Sequence, residues 1–210
     1  MVGRLALQQR LALLASLRLT LFGISLDAAL KDPQFAPCSR DLDIAEVFTT
    51  AQTVVQAGRS LGLTAEPYDK CSGDIDACTA EGFVQMVQLV LRLKPGGLLC
   101  VAPDCSSFGF APRVWSCRTA RNVEGDTSRS FVREGNLMAR AAMFLFCLAV
   151  LRGAEAVMEN PVGSMMFSCW PELKSSSLDS LSFMRSQLHS IMLTMFIIKA
   201  VNYSSLALTF

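Results

Sequence analysis

The chain has 210 residues and a mass of 22.8 kDa, which fit one domain or one domain with tails and nearly exclude a two-domain enzyme. Apolar residues make up 51% of the sequence and charged residues only 18%, so general disorder is excluded and a large buried core is expected. The formal net charge of +1 excludes a globally basic nucleic-acid-binding protein. Any basic surface must therefore be local, and its cations are mainly arginines, 14 against 5 lysines.

The eight cysteines include no Cys-x-x-Cys pair, and His189 is the single histidine, so we expect no metal site. Cys100 and Cys147 lie inside apolar runs, where a free thiol behaves as a small hydrophobic side chain. This cysteine usage favours an intracellular, reducing compartment over a disulfide framework.

Residues 1–30 form an apolar, Arg-containing N-terminal segment without an acid in its first 26 residues. Because Arg18 interrupts its apolar stretches, no uncharged run reaches the ~18 residues of a membrane span. A helix packed on the domain, a targeting segment and a membrane-surface helix all fit this composition. Residues 31–40, with Pro33 and Pro37, predict a linker, so the domain is expected over 41–210 and should fold without residues 1–30.

From residue 41 onward, apolar strands alternate with helices. This alternation predicts an α/β fold with a doubly wound, mostly parallel sheet, and the last apolar stretches predict a C-terminal antiparallel hairpin. The predicted elements are the strand Asp43–Phe48, the helix Thr53–Leu61, the strand Leu63–Tyr68, the helix Thr79–Leu93, the strand Leu98–Ala102, a helix from Phe131 or Arg133 to Leu151, the strand Ala154–Met158 and the hairpin strands Ile191–Val201 and Ser205–Phe210.

Polar and reactive residues directly follow the predicted strands, at the end of the sheet where ligands of an open parallel sheet bind. One long helix lies between Ala102 and Ala154, so a right-handed crossover makes the strands on either side neighbours. We therefore expect Cys105 and Glu159 to face one pocket. The residues that follow the four strands are Phe48-Thr49, Asp69, Pro103-Asp104-Cys105 and Glu159-Asn160-Pro161.

Two of these stretches resemble motifs of the DNA cytosine-5 methyltransferases. Ala102–Phe108, Ala-Pro-Asp-Cys-Ser-Ser-Phe, is similar to their Pro-Pro-Cys-Gln-x-Phe loop, and Glu159-Asn160-Pro161 is similar to their Glu-Asn-Val. Asp43–Gly58 resembles the cofactor motif that opens the family's domain. Over roughly residues 41–168 the resemblance implies a Rossmann-like methyltransferase fold that uses S-adenosylmethionine.

The resemblance also implies a mechanism with Cys105, Glu159 and Asn160 as the catalytic residues. A Cys105 thiolate would add to carbon 6 of a flipped cytosine, and carbon 5 would then attack the sulfonium methyl group. The carboxyl group of Glu159 would hold the base edge and stabilise the charge that develops during addition.

The cofactor site that the family implies departs from the family at its glycines. Its opening motif is Phe-x-Gly-x-Gly, whereas Thr50 and Gln52 follow Phe48 here. Their side chains crowd the approach of the cofactor, so we expect weak or lost binding of S-adenosylmethionine. The carboxylate of Asp69 suits the ribose hydroxyls. The cofactor-binding residues implied are Phe48, Thr49, Asp69 and Pro103.

The segment 106–133 carries five arginines against two acids, a local charge of +3 beside the expected site. Such a loop predicts phosphate contacts by Arg113, Arg118 and Arg121, with Phe108, Phe110 or Trp115 stacking on a base or filling its place. A solvated surface loop with apolar anchors is the simpler interpretation of the same residues.

Other departures leave several functions open. Asp104 stands where the family has a proline, and a carboxylate beside a thiol disfavours the thiolate. No Gln-x-Arg-x-Arg motif occurs in the sequence. The alternatives are a non-catalytic nucleotide- or nucleic-acid-binding module with the same fold, a methyltransferase that acts on an amino group through Asn160-Pro161, and a cysteine hydrolase that pairs Cys105 with His189.

Overall fold

The computed structural model of the chain describes residues 19–35, 39–109, 113–161 and 164–169. All of these residues belong to one compact unit, Met1–Cys169. The C-terminal hairpin predicted within residues 191–210 lies outside the described residues, as do residues 1–18 of the N-terminal segment.

The described part of the chain begins with a short antiparallel hairpin that the sequence does not predict. Phe22 and Gly23 form its turn, both with left-handed backbone at φ 50° and 78°. The Ser25 hydroxyl then accepts a hydrogen bond from the Ala28 amide at 3.1 Å and caps a short helix. The elements are β1 (Thr20–Leu21), β2 (Ile24–Ser25) and α1 (Leu26–Lys31).

Residues 19–35 pack against the rest of the unit. Leu26, Ala29 and Phe35 are buried, and the Phe22 ring lies 5.7 Å from the Phe83 ring, centroid to centroid. Phe35 ends a 3-10 turn, Pro33–Phe35, inside the stretch that the sequence analysis assigns to a linker. These apolar contacts make residues 19–35 part of the core rather than a segment detached from it.

Four strands form one all-parallel sheet in the order β4-β3-β5-β6, which confirms the predicted parallel α/β architecture. Val101 pairs with both Val47 and Met158, so β5 lies between β3 and β6, as the single long crossover helix predicts. At one edge lies β4, which contains Pro67. The strands are β3 (Leu42–Val47), β4 (Ala65–Tyr68), β5 (Leu93–Val101) and β6 (Glu155–Met158).

Helices flank this sheet. Val55 of the helix after β3 packs with Ile44 and Ala65 of the sheet. The two longest helices pack on each other through Phe83 and Phe144, whose rings meet edge to face with centroids 5.0 Å apart. The helices are α2 (Thr53–Ser60), α3 (Ala80–Leu91), α4 (Arg113–Ser116) and α5 (Ser130–Leu151).

Within the described residues, α5 is the one helix long and apolar enough to cross a membrane by length and composition. Most of the apolar part of this helix is buried inside the protein, against β5, β6 and α3. A core helix has the same composition, because it is surrounded by apolar neighbours on all sides.

The strand β5 begins earlier than the sequence predicts. It includes Lys94-Pro95-Gly96-Gly97, which lie between the predicted helix Thr79–Leu93 and the predicted strand Leu98–Ala102. Leu93 pairs with Leu42 and Leu98 pairs with Ile44, so the register shifts and the extra residues bulge out of the ladder. Gly96 takes a left-handed backbone, φ 75°, and its amide donates to the Gly153 carbonyl at 2.8 Å.

Candidate active site at the carboxyl edge of the sheet

The ends of β5 and β6 bring Cys105 and Glu159 to the same edge of the sheet. The Glu159 amide donates to the Val101 carbonyl at 2.8 Å and so extends the parallel ladder by one residue. Cys105 follows Val101 by four residues and is half-buried, whereas Glu159 is exposed. The two side chains are within electrostatic reach of each other.

Asn160 connects the two strand ends. Its Nδ2 atom donates to the Pro103 carbonyl at 3.1 Å, and its side chain is only 2% exposed. Its Oδ1 atom is also buried and accepts no hydrogen bond from the described residues. A buried amide oxygen usually has a partner, so this atom is an available acceptor beside the loop that carries Cys105.

A tight turn holds Cys105 at the start of its loop. The Cys105 carbonyl accepts hydrogen bonds from the amides of Phe108 and Gly109, at 2.9 and 3.1 Å. The Asp104 carboxylate accepts from the Ser106 amide at 2.8 Å and from the Ser106 hydroxyl at 2.6 Å. Because the carboxylate is fixed by these bonds, its negative charge stays next to the thiol.

Burial and two neighbouring carboxylates oppose ionisation of the Cys105 thiol. Burial raises the pKa of Cys105, and the charges of Asp104 and then Glu159 raise it further. A hydrogen bond from the backbone acts in the opposite direction. Burial and, next to it, the charge of Asp104 therefore favour the neutral thiol over the thiolate.

The side chain of Arg118 is buried against the loop that carries Cys105 and does not face solvent. Its Nε and Nη2 atoms donate to the Ser107 carbonyl and hydroxyl, both at 2.9 Å, and Nη1 donates to Asn136 Oδ1 at 2.8 Å. Its guanidinium carbon lies 3.7 Å from the centroid of the Phe108 ring. Arg118 is 2% exposed, so the prediction that it contacts phosphates is wrong.

Sequence reasoning missed this buried arginine because charge composition alone cannot distinguish it from its exposed neighbours. The signal was Asn136, a polar residue within an apolar helix, which needs a buried partner. Phe108 is also fully buried, which excludes it as a stacking platform for a base. Phe110 lies outside the described residues.

A glycine of α5 allows the close approach between this helix and the loop. A Cβ atom at Gly135 would lie 2.2 Å from the Ser107 hydroxyl and 3.5 Å from Arg118 Nη2. A glycine is therefore required where α5 contacts the loop of Cys105.

The remaining basic groups of the segment 106–133 are divided between internal bonds and the surface. Arg129 pairs with Asp126 at 3.0 Å, and Arg133 donates to two backbone carbonyls. Arg121 is exposed, and Arg113 is half-buried on α4. Trp115, two residues after Arg113 on α4, is 65% exposed and is therefore an aromatic side chain available at the surface.

Two residues of the loop after β3 take a left-handed backbone, the conformation that glycine adopts most easily. Phe48 and Gln52 both take left-handed backbone, at φ 63° and 50°. Gln52 precedes α2 and does not cap it through its side chain. Glu46 on β3 replaces that cap, since its Oε2 atom accepts from the Val55 amide at 2.8 Å although Glu46 is only 5% exposed.

The role of Glu46 is not predicted from the sequence, although an acid within an apolar strand indicates a buried partner. Thr49 follows Phe48 at the same edge of the sheet and is half-buried. Asp69 lies at the end of β4, where its Oδ1 atom accepts from the Cys71 amide at 2.8 Å and caps a 3-10 turn. Asp69 and the loop after β3 thus lie at the carboxyl ends of paired strands, the position expected for a nucleotide site.

No family model, no curated protein and no solved structure matches the chain. No group of three or more histidine, cysteine or acidic side chains in the described segments is arranged to hold a metal ion. The seven described cysteines are free thiols. Inferences about function therefore depend on the geometry of this chain's own residues.

Proposed function

We propose that the chain is an S-adenosylmethionine-dependent, methyltransferase-like domain that resembles the DNA cytosine-5 methyltransferases and acts on a cytosine base. The observation that supports this most is the placement of Cys105 and Glu159 after the ends of neighbouring strands, where the charge of Glu159 acts on the Cys105 thiol. A nucleophile and a group that holds the base must face one ligand, and this edge supplies both.

In the proposed reaction, the Cys105 thiol gives its proton to solvent and its sulfur forms a bond to carbon 6 of the base. The electron pair displaced from the ring double bond makes carbon 5 nucleophilic. Glu159 binds the polar edge of the base and stabilises the charge that develops on the ring. S-adenosylmethionine would supply an electrophilic methyl group to carbon 5. Loss of the carbon 5 proton to solvent then restores the double bond, breaks the bond from sulfur to carbon 6 and releases the Cys105 thiolate.

The residues at the cofactor position fit the cofactor in part. Gln52 takes a left-handed backbone, a conformation that glycine adopts most easily. Asp69 lies at the end of the next strand, β4. The side chains of Thr50 and Gln52 add volume at positions where the family has none. Phe48, Thr49, Asp69 and Pro103 would hold the cofactor, and its binding is expected to be weak.

A second candidate function is a non-catalytic module that binds a nucleotide or a nucleic acid with the same edge. The observation that favours it is the raised pKa of Cys105, because a neutral thiol is a weak nucleophile. Arg113, Arg121 and exposed Trp115 would supply phosphate and stacking contacts in either function.

Two measurements on the full chain separate these functions. Calorimetric titration with S-adenosylmethionine tests the cofactor, and incubation with both S-adenosylmethionine and an oligonucleotide that contains 5-fluorocytosine tests the nucleophile, because the adduct becomes stable only after methyl transfer to carbon 5. Fluorine at carbon 5 cannot leave as a proton does, so an active Cys105 becomes trapped as a covalent adduct. The adduct should be absent in Cys105→Ser and retained in Cys117→Ser, which changes an exposed thiol elsewhere.

Binding of S-adenosylmethionine with formation of the adduct supports the enzyme. Oligonucleotide binding without the adduct supports the module. If the chain binds neither S-adenosylmethionine nor an oligonucleotide, both proposals are wrong.

A further inference from the structure

A cavity of about 330 Å³ lies at the amino end of the sheet, opposite the edge that carries Cys105. It is formed where α1, α3 and α5 end and where the chain leads into β3. Its lining includes Leu91, the last residue of α3, and Arg152, which directly follows α5. The volume is within the range of small-molecule sites, about 300–1,000 Å³. The cavity is separate from the site discussed above, and its function is independent of that proposal.

Two arginines without acidic partners line this cavity. Arg40 donates through Nη2 to the Arg152 carbonyl at 3.0 Å, and the Nε atoms of both residues are buried without a hydrogen-bond partner. Neither guanidinium forms an ion pair within the described ranges. Buried donors and like charges brought together are both unfavourable unless an acceptor joins them.

The electrostatics of Arg152 are consistent with this lack of an acceptor. Burial lowers the pKa of Arg152, and the positive charge of Arg40 lowers it further. An acid in contact would have the opposite effect, as Asp41 and Glu66 have on nearby Arg92.

The carboxylates nearest in sequence are engaged elsewhere. Asp41, next to Arg40, accepts from Arg92 Nη2 at 2.7 Å and from the Ser39 hydroxyl at 2.8 Å. Asp32 lines the cavity, but its carboxylate accepts from the amide and side chain of Gln34 at 3.0 and 2.8 Å. The acceptor that the two guanidiniums lack is therefore expected from outside the described chain.

The other side of the cavity is apolar. Leu30, Phe35 and Leu91 line it, and Phe35 and Leu91 are buried. Lys31 also lines it, although Lys31 is exposed and pairs with Asp27 at 2.6 Å. A ligand that fits has an anionic group against the arginines and an apolar body against these side chains.

We propose that this cavity binds a small phosphate monoester with an apolar body, held by Arg40 and Arg152. A phosphate monoester carries a charge of about −2 and three acceptor oxygens at neutral pH, so it can serve two guanidinium groups at once. A carboxylate has one charge and two oxygens and would leave one guanidinium without full pairing.

Calorimetric titration of the full chain with phenyl phosphate tests this proposal, with inorganic phosphate and benzoate as comparison ligands. Phenyl phosphate should bind more tightly than either, because only phenyl phosphate has both the dianionic group and the ring. Arg152→Gln should weaken its binding at least tenfold. Arg140→Gln, which changes an exposed arginine of the same helix that pairs with Glu124, should leave the binding unchanged.

Arg152→Gln should not lower the melting temperature of the ligand-free protein, since the Arg152 side chain has no ion pair to lose in the described structure. Should the variant nevertheless unfold, Arg40→Gln and protection of Arg40 and Arg152 from phenylglyoxal by phenyl phosphate, mapped by mass spectrometry, test the same contacts. Absence of binding by the wild type, equal binding of benzoate, or undiminished binding in the folded arginine variants would overturn the proposal.

Discussion

The guanidinium of Arg118 and the side chain and carbonyl of Ser107 are joined by two hydrogen bonds of 2.9 Å in the protein interior. Ser107 is two residues from Cys105, so this pair fixes the loop that carries the candidate nucleophile. The loop is consequently positioned by a residue of the crossover segment rather than by the sheet alone.

Replacing Arg118 by lysine should destabilise the fold by about 3 kcal/mol, because one ammonium cannot reach the acceptors that the guanidinium satisfies, and buried acceptors then lose their partners. Urea denaturation followed by circular dichroism measures this change. Arg121→Lys is the matched control and should change stability by less than about 0.5 kcal/mol, since Arg121 is exposed. Equal effects of the two substitutions would contradict the buried role of Arg118.

Gly135→Ala should destabilise the protein because the new methyl group would lie 2.2 Å from the Ser107 hydroxyl. We expect a loss of about 1–3 kcal/mol, as for other overpacked sites. The double variant with Ser107→Ala removes the oxygen that clashes and should recover part of that loss. Additive effects in this double-mutant cycle would show that the two residues do not interact.

The alkylation of Cys105 by iodoacetamide should be slow at neutral pH and accelerate above the ordinary thiol pKa, since burial, Asp104 and Glu159 raise its pKa. Asp104→Asn retains an acceptor for the Ser106 amide and removes the charge, so it should shift the rate profile to lower pH. Mass spectrometry resolves Cys105 from the exposed Cys71 and Cys117. The control Glu155→Gln removes a charge at the opposite end of β6 and should leave the dependence of the alkylation rate on pH unchanged. A shift in that variant as well would show that net charge, rather than Asp104, controls the thiol.

Alkali should destabilise the fold through its buried thiols. Burial and then the charge of Glu46 raise the pKa of Cys100 to about 12, and burial raises that of Cys147 to about 12. In the unfolded chain these thiols ionise near pH 9. The free energy of unfolding is therefore unaffected by them below pH 9 and falls as the pH rises from 9 toward 12. Each thiol contributes a slope of about 1.4 kcal/mol per pH unit in that window.

Urea denaturation across that range checks this slope. Cys147→Ala should reduce the slope by the contribution of one buried thiol, whereas Cys117→Ser, which changes an exposed thiol, should leave the slope unchanged.

The double substitution Thr50→Gly and Gln52→Gly should strengthen the binding of S-adenosylmethionine if the proposed function is correct. At Gln52, glycine also removes the cost of a left-handed backbone, about 1 kcal/mol, so the double variant should remain folded. Calorimetry of wild type and variant measures the affinity. A folded variant with unchanged affinity would show that these side chains do not obstruct the cofactor.

The adjacency of β5 and β6 could be predicted from the sequence, because one long helix between Ala102 and Ala154 leaves a right-handed crossover between neighbouring strands. The strand and helix bounds after residue 41 follow the apolar periodicity to within a few residues, except at β5. There, Lys94-Pro95-Gly96-Gly97 correctly marks an irregular backbone, but long-range pairing with β3 incorporates it into a strand.

The contacts that define the site could not be predicted in the same way. Whether Arg118 points inward or outward depends on Asn136, 18 residues further along the chain, and on the space left by Gly135. Likewise, Glu46 is explained only when β3 and the start of α2 are placed together. Local patterns predict elements, whereas these polar contacts depend on which elements meet.

Pro67 at the outer strand of the sheet limits how this protein can assemble. The carbonyls of Thr64 and Tyr68 accept from β3, so the even-numbered residues of β4 direct their backbone groups inward and Pro67 faces outward. It offers no amide hydrogen to an incoming strand, and the outward carbonyl of Ala65 is already bonded to Arg59 Nε at 3.0 Å. Within the described residues, this edge of the sheet therefore lacks two of the hydrogen-bonding groups that an incoming strand would use, which disfavours edge-to-edge pairing on this side.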